Sequence, residues 1–582
     1  MKLSHSSANR SITLKFVIII IIIITIISLL VYRLIYIDGT GNEKIIKKAN
    51  GQLYHSHIIS ENRGILFDRN NTPLAVSTTL YNIILDVKVF LKNQKNLYKL
   101  HELNISRLPL KKLLSIIEKY PNSRYQILVK YLTPNEIEKV NLAHIPGIHI
   151  EKMFRTFYPQ GEASAALVGY TNSLNNGQAG LELTFDNALK SIDGTSIVAT
   201  DPKNNIITEK RIIKKPKTGK NITLSIDHVI QHFAYDALKT GVIKANAKSG
   251  AAVVLNPKSG EVLAAVSYPS FNPNVFSERK GENLAERPII QTFEPGSSIK
   301  PFIVAIALQS KKYTPNTIID TNPGHYLLKG HKIRDDSNFG VINVTQVLQK
   351  SSNVGISKIA LSLPHEEVFE FLRSLDFGSG ESYFFPRENS GFLPIASKLG
   401  DFSYATTAFG YGMTSSVLQL AHAYSIFANH GKLCPITFTK IDNPNCKRII
   451  SQENAKAIKK MLHSVVTIHG TGLLANIPGY DVGGKTGTVH RVGSHGYLKH
   501  SFNSYFAGIA PLDNPRLVII IWIEDPQKNH FYQYGGVSAA PIFASIARKS
   551  LSYLRVPYHE DLSNFLLKNK STKWLLHIIE NN

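Results

Sequence analysis

The sequence predicts an α+β protein of several domains, with an antiparallel sheet sandwiched by helices, an elongated N-terminal α/β module and one transmembrane helix. Three observations lead there. The chain has 582 residues, more than one hydrophobic core usually supports. Residues 16–32 (FVIIIIIIITIISLLVY) form an uncharged run near the N-terminus. In the C-terminal half, strand-like runs lie at both ends with helical patterns between them.

The apolar run is long enough to cross a bilayer as a helix if Arg33 snorkels at its end. The residues before it carry Lys2, Arg10 and Lys15 and no acid, which by positive-inside logic leaves a short cytoplasmic tail and exports everything after about residue 38. A cleaved signal peptide is the rival reading, but the apolar stretch is long for one and no clear small-x-small cleavage site follows it. The expected order is a cytoplasmic tail (1–15), a transmembrane helix (16–37), a module (38–220), a larger domain (221–560) and a C-terminal tail (561–582), anchored in the inner membrane.

Composition is globular, 43% hydrophobic and 19% charged. The 66 basic and 42 acidic residues give a formal charge of +24, which calls for an anionic surface nearby. An exported chain rarely meets nucleic acid, so membrane or wall polymer is the expected partner. Cys434 and Cys446 are the two cysteines and can pair outside the cytoplasm. There is neither CxxC nor HExxH, so no metal or cofactor is expected, and His365 in PHEEVFE reads as a helix start.

Within 38–220, LYNIILDVKVF (80–90) reads as a strand and LKKLLSIIEKY (110–120) has helical spacing. The charge run TEKRIIKKPKTGK (208–220) reads as a solvated loop at the domain boundary. Beyond it, NITLSID (221–227) alternates as a strand and 229–245 follows as an amphipathic helix. AAVVLNPKSGEVLAAVSY (251–268) is a hairpin about an Asn-Pro-Lys-Ser-Gly turn. A mostly helical middle leads to strands at 503–511 and 516–525 and a last helix at 541–554.

The chemistry-bearing stretch is EPGSSIKP (294–301), which opens the wholly apolar helix FIVAIAL. Ser297 and Lys300 lie three residues apart, on one face of a helix start, and Pro301 costs no bond in a first turn. A lysine there is partly desolvated, which lowers its pKa and lets the neutral amine act as base toward a hydroxyl. Ser-x-x-Lys recurs at Ser277–Lys280 in a charged loop. Lys-Thr-Gly occurs at 217, 239 and 485, and Ser-x-Asn recurs at several places, among them 7, 60, 173, 351 and 501. Context selects among them. Ser351-Ser352-Asn353 sits between two helical patterns, where a short loop can present Ser351 and Asn353 to a cleft. Lys485-Thr486-Gly487-Thr488 stands just before strand signals and can lie on an edge strand. The copy at 217 precedes the domain and that at 239 closes a helix.

The order EPGSSIK, KSSN, GGKTGT resembles the penicillin-binding transpeptidases of class B, and the resemblance spans roughly residues 55–555. NRGILFDRNNTPLA (62–75) resembles the signature opening their non-catalytic, pedestal or dimerisation-type module; YPQGEASAALVGY (158–170) and GQAGLELTFD (177–186) resemble its second block. LQKSSNVGISKIA, FGYG, SYFAGIAP and YGGVSAAPIF resemble the division-specific branch. Asn71 departs from the usual Gly, tolerable if the turn needs a positive φ. Ser416-Val417 departs from the usual Thr-Pro after FGYG.

The resemblance implies the penicillin-binding transpeptidase fold in 221–560 and cross-linking of peptidoglycan stem peptides ending in D-Ala-D-Ala at the division septum. It implies Ser297 as nucleophile, Lys300 as base, Ser351 as proton relay, Asn353 as positioner and Lys485 as a cation toward relay and substrate carboxylate. Thr486 and Thr488 would donate to that carboxylate, Gly487 lies between them in the substrate-binding motif, and the N–H groups of Ser297 and Thr488 would hold the oxyanion. Implied partners are β-lactams, the membrane, a septal glycosyltransferase and other divisome proteins. The alternatives are a carboxypeptidase or β-lactam-hydrolysing relative in which water takes the acyl group, and a non-enzymatic divisome scaffold.

Overall fold

The structure, a computed structural model, describes residues 5–557 apart from positions 40–42, 44–45, 49–50, 52, 106–107, 109, 201–205, 379–384, 386–387, 390 and 494–495. The expected tail at 561–582 lies outside the described residues, as do the first four residues of the expected cytoplasmic tail. The chain forms two compact units, one of residues 1–61 and 191–218, the other of 62–190 and 219–582.

In the first unit, a helix runs from His5 to Asp38, and Thr13–Asp38 is long and apolar enough to cross a membrane. The expected span at 16–37 falls inside it. Lipid offers the backbone no hydrogen bonds, so a helix that satisfies its own amides is the form such a run must take there. A three-stranded antiparallel sheet completes the unit, ordered Tyr54–Ile59, Gly194–Thr200, Ile206–Lys214. This corrects the reading of 208–220 as a loop. TEKRIIK is paired strand, because ladder hydrogen bonds to Gly194–Thr200 outweigh the low strand propensity of its charged side chains.

The second unit carries a five-stranded sheet around Pro73–Leu85, which pairs with Gln126–Leu132 and Ile148–Phe157. LYNIILDVKVF does not continue as strand to Phe90. Asp86 stops it: its carboxylate accepts from the Val89 N–H and caps a short helix, Val87–Phe90. The helical spacing at 110–120 is realised as Leu110–Lys119. NITLSID contributes only Ile222–Thr223, paired in parallel with Leu66–Phe67. It therefore joins this sheet instead of opening the catalytic one, a pairing that a local pattern cannot specify. Asn71 adopts φ 63°, so the turn does need the positive angle. Arg63 is buried against Glu182 at 2.6 Å and Asp186 at 2.6 Å, which joins the opening signature to the second block.

The larger sheet of this unit is built from β1 (Ser249–Leu255), β2 (Val262–Tyr268), β3 (Gly483–Gly493), β4 (Gly496–Ala510) and β5 (Leu517–Glu524). Its antiparallel order is β2-β1-β5-β4-β3. Alternate residues serve two cores. Ala251, Val253, Val518, Ile520 and Trp522 pack with α2 (Lys300–Gln309) and α4 (Val417–Ala428). Ala252, Val254, Ile519 and Ile521 pack with α1 (His228–Lys244) and α5 (Ala540–Tyr553). Both faces are covered, so the strands read as unbroken apolar runs. This is the expected sheet sandwiched by helices. After FGYG, Ser416 caps α4 in a capping box with Gln419, so the departure from Thr-Pro keeps a helix start. Cys434 and Cys446 form a disulfide.

Candidate active site

Gly296–Ile299 is a single 3₁₀ turn that runs straight into α2. In 3₁₀ geometry residues i and i+3 eclipse one another, so Ser297 and Lys300 stand on the same side of the turn. Pro301 falls in the first turn of α2, where its missing N–H breaks nothing. The buried Tyr424 hydroxyl donates to Ser298 O at 2.7 Å, and Phe302 packs its ring among Phe377, Tyr424 and Phe427. The Gly296–Ile299 turn is thus pinned to the middle of the core. Ser298 is buried and donates to Pro295 O, whereas Ser297 is partly exposed.

Lys300 is 0% exposed. Its Nζ donates to Ser351 O at 2.6 Å and Asn353 Oδ1 at 2.7 Å, and lies 3.3 Å from Ser351 Oγ. Burial pulls its pKa down to about 7 from 10.5, against the opposing pull of Asp335 and Asp336. A neutral amine has two N–H groups and one lone pair. The two short contacts use the N–H groups, which leaves the lone pair to take a proton.

Ser351 lies in the bend between Val344–Gln349 and α3 (Asn353–Leu361), and Asn353 is the first residue of α3. Ser351 holds φ 61°, a left-handed angle uncommon for a non-glycine residue and usually tied to function. What supports it is Asp335, whose carboxylate accepts from the N–H groups of Asn353 and Val354 (2.9 Å) and from the Ser352 hydroxyl (2.6 Å). An acid at a helix N-terminus satisfies orphan amides and suits the helix dipole. Asn353 Nδ2 also donates to Arg334 O at 3.0 Å, which fixes the amide so that its oxygen faces Lys300.

Lys485 lies on β3, the edge strand, with Lys485 opposite Ala507 and Thr488 opposite Ser504. Its Nζ is buried and donates to Ser351 Oγ at 2.9 Å and Thr486 O at 3.0 Å. Burial, and next the nearby Lys300 charge, push its pKa well below the ordinary lysine range, with Asp336 opposing. Two lysine nitrogens therefore flank one hydroxyl. The Thr486 hydroxyl pairs with that of Thr471 at 2.6 Å, and Thr488 Oγ1 accepts from Gly535 N at 3.2 Å, which leaves the Thr488 proton to donate. Gly487 is buried between them, where a Cβ would sit 3.1 Å from Tyr505.

The structure thus brings Lys300, Ser351, Asn353 and Lys485 into contact, with Ser297 on the Lys300 turn and Thr486, Gly487 and Thr488 following Lys485 along β3. The other copies lie elsewhere. Ser277 and Lys280 are exposed, Ser501 donates to Asp525, and Lys239 pairs with Glu162 from inside α1, which continues to Lys244 instead of closing at 239. Sequence reasoning did not find Asp335 or Thr471. Each meets its partners across 15 or more residues of chain, and neither sits in a recognisable spacing. It also left FGYG without a role: Gly410 O accepts from Gly296 N at 3.2 Å, and at φ +87° a Gly410 Cβ would fall 2.2 Å from Gly296 O.

The fold thus sets one partly exposed serine, Ser297, three residues before a buried lysine whose pKa is lowered, in a domain whose antiparallel sheet is covered by helices on both faces. The profile of the penicillin-binding protein transpeptidase domain matches residues 250–548, and that of the penicillin-binding protein dimerisation domain matches 58–224. The chain is 36% identical over 527 residues to the probable peptidoglycan D,D-transpeptidase PbpC of Pseudomonas aeruginosa, covering 90% of this chain and 92% of that one. It is 32% identical over 549 residues to the peptidoglycan D,D-transpeptidase FtsI of Escherichia coli, covering 92% and 91%. Among solved structures, penicillin-binding protein 3 of Mycobacterium tuberculosis in complex with aztreonam superposes with a TM-score of 0.68 at 25% identity, over 87% of this chain and 99% of that one. This chain belongs to the penicillin-binding protein transpeptidase family.

Proposed function

We propose that this chain is a serine-type peptidoglycan D,D-transpeptidase of the division septum. The observation that carries the reading is the Ser351 hydroxyl set between Lys300 and Lys485, beside the turn that holds Ser297. Ser297 Oγ attacks the carbonyl of the penultimate D-Ala while Lys300 Nζ takes its proton. The oxyanion rests on the N–H groups of Ser297 and Thr488, where losing one donor costs on the order of a hundredfold or more in rate. The C–N bond then breaks, and terminal D-Ala leaves with a proton passed from Lys300 through Ser351. The amine of a second stem attacks the acyl-enzyme, forms the cross-link and returns a proton to Ser297. Asn353 holds Lys300 and the peptide, and Lys485 with Thr486 and Thr488 receives the substrate carboxylate.

A single proton shared by two buried lysines fits this cycle, since both ammonium groups around one hydroxyl would repel at short range. The named relatives support transpeptidation, and the division-type motifs support the septum. A single-pass anchor with a cytoplasmic N-terminus would leave the non-catalytic module (38–220) and the transpeptidase domain (221–560) in the periplasm, beside a septal glycosyltransferase and other divisome proteins. The family profiles at 58–224 and 250–548 support that division of the chain.

The test is mass spectrometry of the protein after treatment with a penicillin. The expected result is one covalent adduct, mapped to Ser297; an adduct on Ser277, or none under conditions that label other transpeptidases, overturns the assignment. With donor and acceptor stems, cross-linked dimers are expected, and release of D-Ala without dimers would move the reading to a carboxypeptidase.

A further inference from the structure

Beyond the end of the five-stranded sheet, β3 and β4 continue as a ribbon in which, among the described residues, the strands pair with each other. The last β4 residue paired with β5 is Asn503, opposite Glu524, while His490 pairs with Phe502 and Val492 with Tyr497 further out. A two-stranded ribbon in water is marginally stable by itself. On its outer side this one is tied by Arg491 to Glu524 at 2.6 Å and by Ser501 to Asp525 at 2.6 Å. On the side of the nucleophile turn, the tie is Glu294. Its Oε1 accepts from the Tyr497 hydroxyl at 2.9 Å and from Gly412 N at 2.8 Å, and the Tyr497 ring meets Tyr411 edge-on at 5.6 Å.

Glu294 stands three residues before Ser297, so its carboxylate joins three segments: the nucleophile turn, the 409–412 turn and the ribbon. These segments already touch where no slack exists. A Cβ on Gly296 would fall 2.2 Å from Val489 Cγ2, the residue after Thr488. The ribbon leaves the sheet just beyond Val489, which pairs with Asn503, so a swing of the ribbon reaches Thr488 through a single residue. We propose that Glu294 is a positioning residue for acyl transfer: it tethers the ribbon through Tyr497 and so holds the N–H of Thr488 at a fixed separation from the N–H of Ser297. The proposal rests on the acyl-transfer reading above, and it assigns the carboxylate a hydrogen-bonding role and no proton transfer.

The test compares Glu294→Ala, Glu294→Gln and Tyr497→Phe in the full-length chain in detergent, with the rate of Ser297 acylation by a fluorescent penicillin read as separate affinity and rate constants. A displacement of about 1 Å can cost on the order of a hundredfold in rate. Glu294→Ala is therefore expected to lose on the order of tenfold to a hundredfold in the acylation rate constant with little change in affinity. Glu294→Gln keeps the accepting oxygen and is expected to restore the rate to within about threefold, and Tyr497→Phe to fall between them. A wild-type rate in Glu294→Ala overturns the proposal, and so does Glu294→Gln as slow as Glu294→Ala, because that would place proton chemistry on the carboxyl. If Glu294→Ala does not fold, Tyr497→Phe decides alone, and a wild-type rate there overturns the tether. Wild-type protein that takes no label overturns the acyl-transfer reading and the role of Glu294 together, whereas a labelled wild type matched by every variant overturns the tether only.

Discussion

Lys485 Nζ donates to Ser351 Oγ at 2.9 Å, across 134 residues of chain, and the same oxygen lies 3.3 Å from Lys300 Nζ. The hydroxyl can accept from one lysine and donate to the other, the geometry that the proposed proton path requires.

Replacing Lys485 by Ala removes one flank of that path and its positive charge. The acylation rate is expected to fall on the order of a hundredfold or more, and Ser351→Ala to fall by a similar factor, because each removes a step of proton handling. Their double variant is expected to be little worse than either single one, since residues of one relay are not additive. Stopped-flow labelling with a fluorescent penicillin measures all three.

The pH dependence follows from Lys300. Its pKa is depressed to about 7, so the ammonium form dominates below that pH and the amine above it. With the amine as the proposed base, acylation is expected to rise with pH, by about tenfold between pH 6 and pH 8. A flat profile over that range, or one that falls, contradicts the assignment of Lys300 as base.

Asp335 is expected to matter for both stability and rate. Asp335→Ala leaves two amides of α3 without their acceptor, which costs about 1–2 kcal/mol of stability in urea unfolding. It also releases Ser351 from its left-handed angle, so acylation should drop by more than the stability loss explains. A variant with normal acylation and lowered stability would reduce Asp335 to a cap.

Arg63→Ala would leave Glu182, buried and already pushed toward the neutral form by desolvation, without its partner. Breaking one side of such a pair typically costs about 3–5 kcal/mol. The expected result is a marked fall in the unfolding midpoint, and an unchanged midpoint would refute the structural role.

Much of this molecule is legible in its sequence where the cause is local. Ser297 and Lys300 share one side of a turn because three residues separate them, and Pro301 with an all-apolar FIVAIAL marks the start of a buried helix. The continuous apolar runs at β1 and β5 announce strands covered on both faces. Local reading failed where a neighbour far along the chain decides. TEKRIIK is strand because Gly194–Thr200 pairs with it, and NITLSID leaves the catalytic sheet because Leu66–Phe67 captures it. LYNIILDVKVF breaks at a capping Asp86 inside an otherwise apolar run.

By itself the sequence determined the kind of residues available for chemistry, the helix that carries Ser297 and Lys300, and the order of the three motifs. Tertiary structure alone decided which hydroxyl sits between two lysines, which acid caps the Ser351 bend and which carboxylate ties the ribbon to the Ser297 turn. The reason is physical: spacing along a helix or strand is set by backbone geometry within a few residues, whereas a 2.9 Å contact between Lys485 and Ser351 exists only after the sheet edge and a helix end have packed on one core.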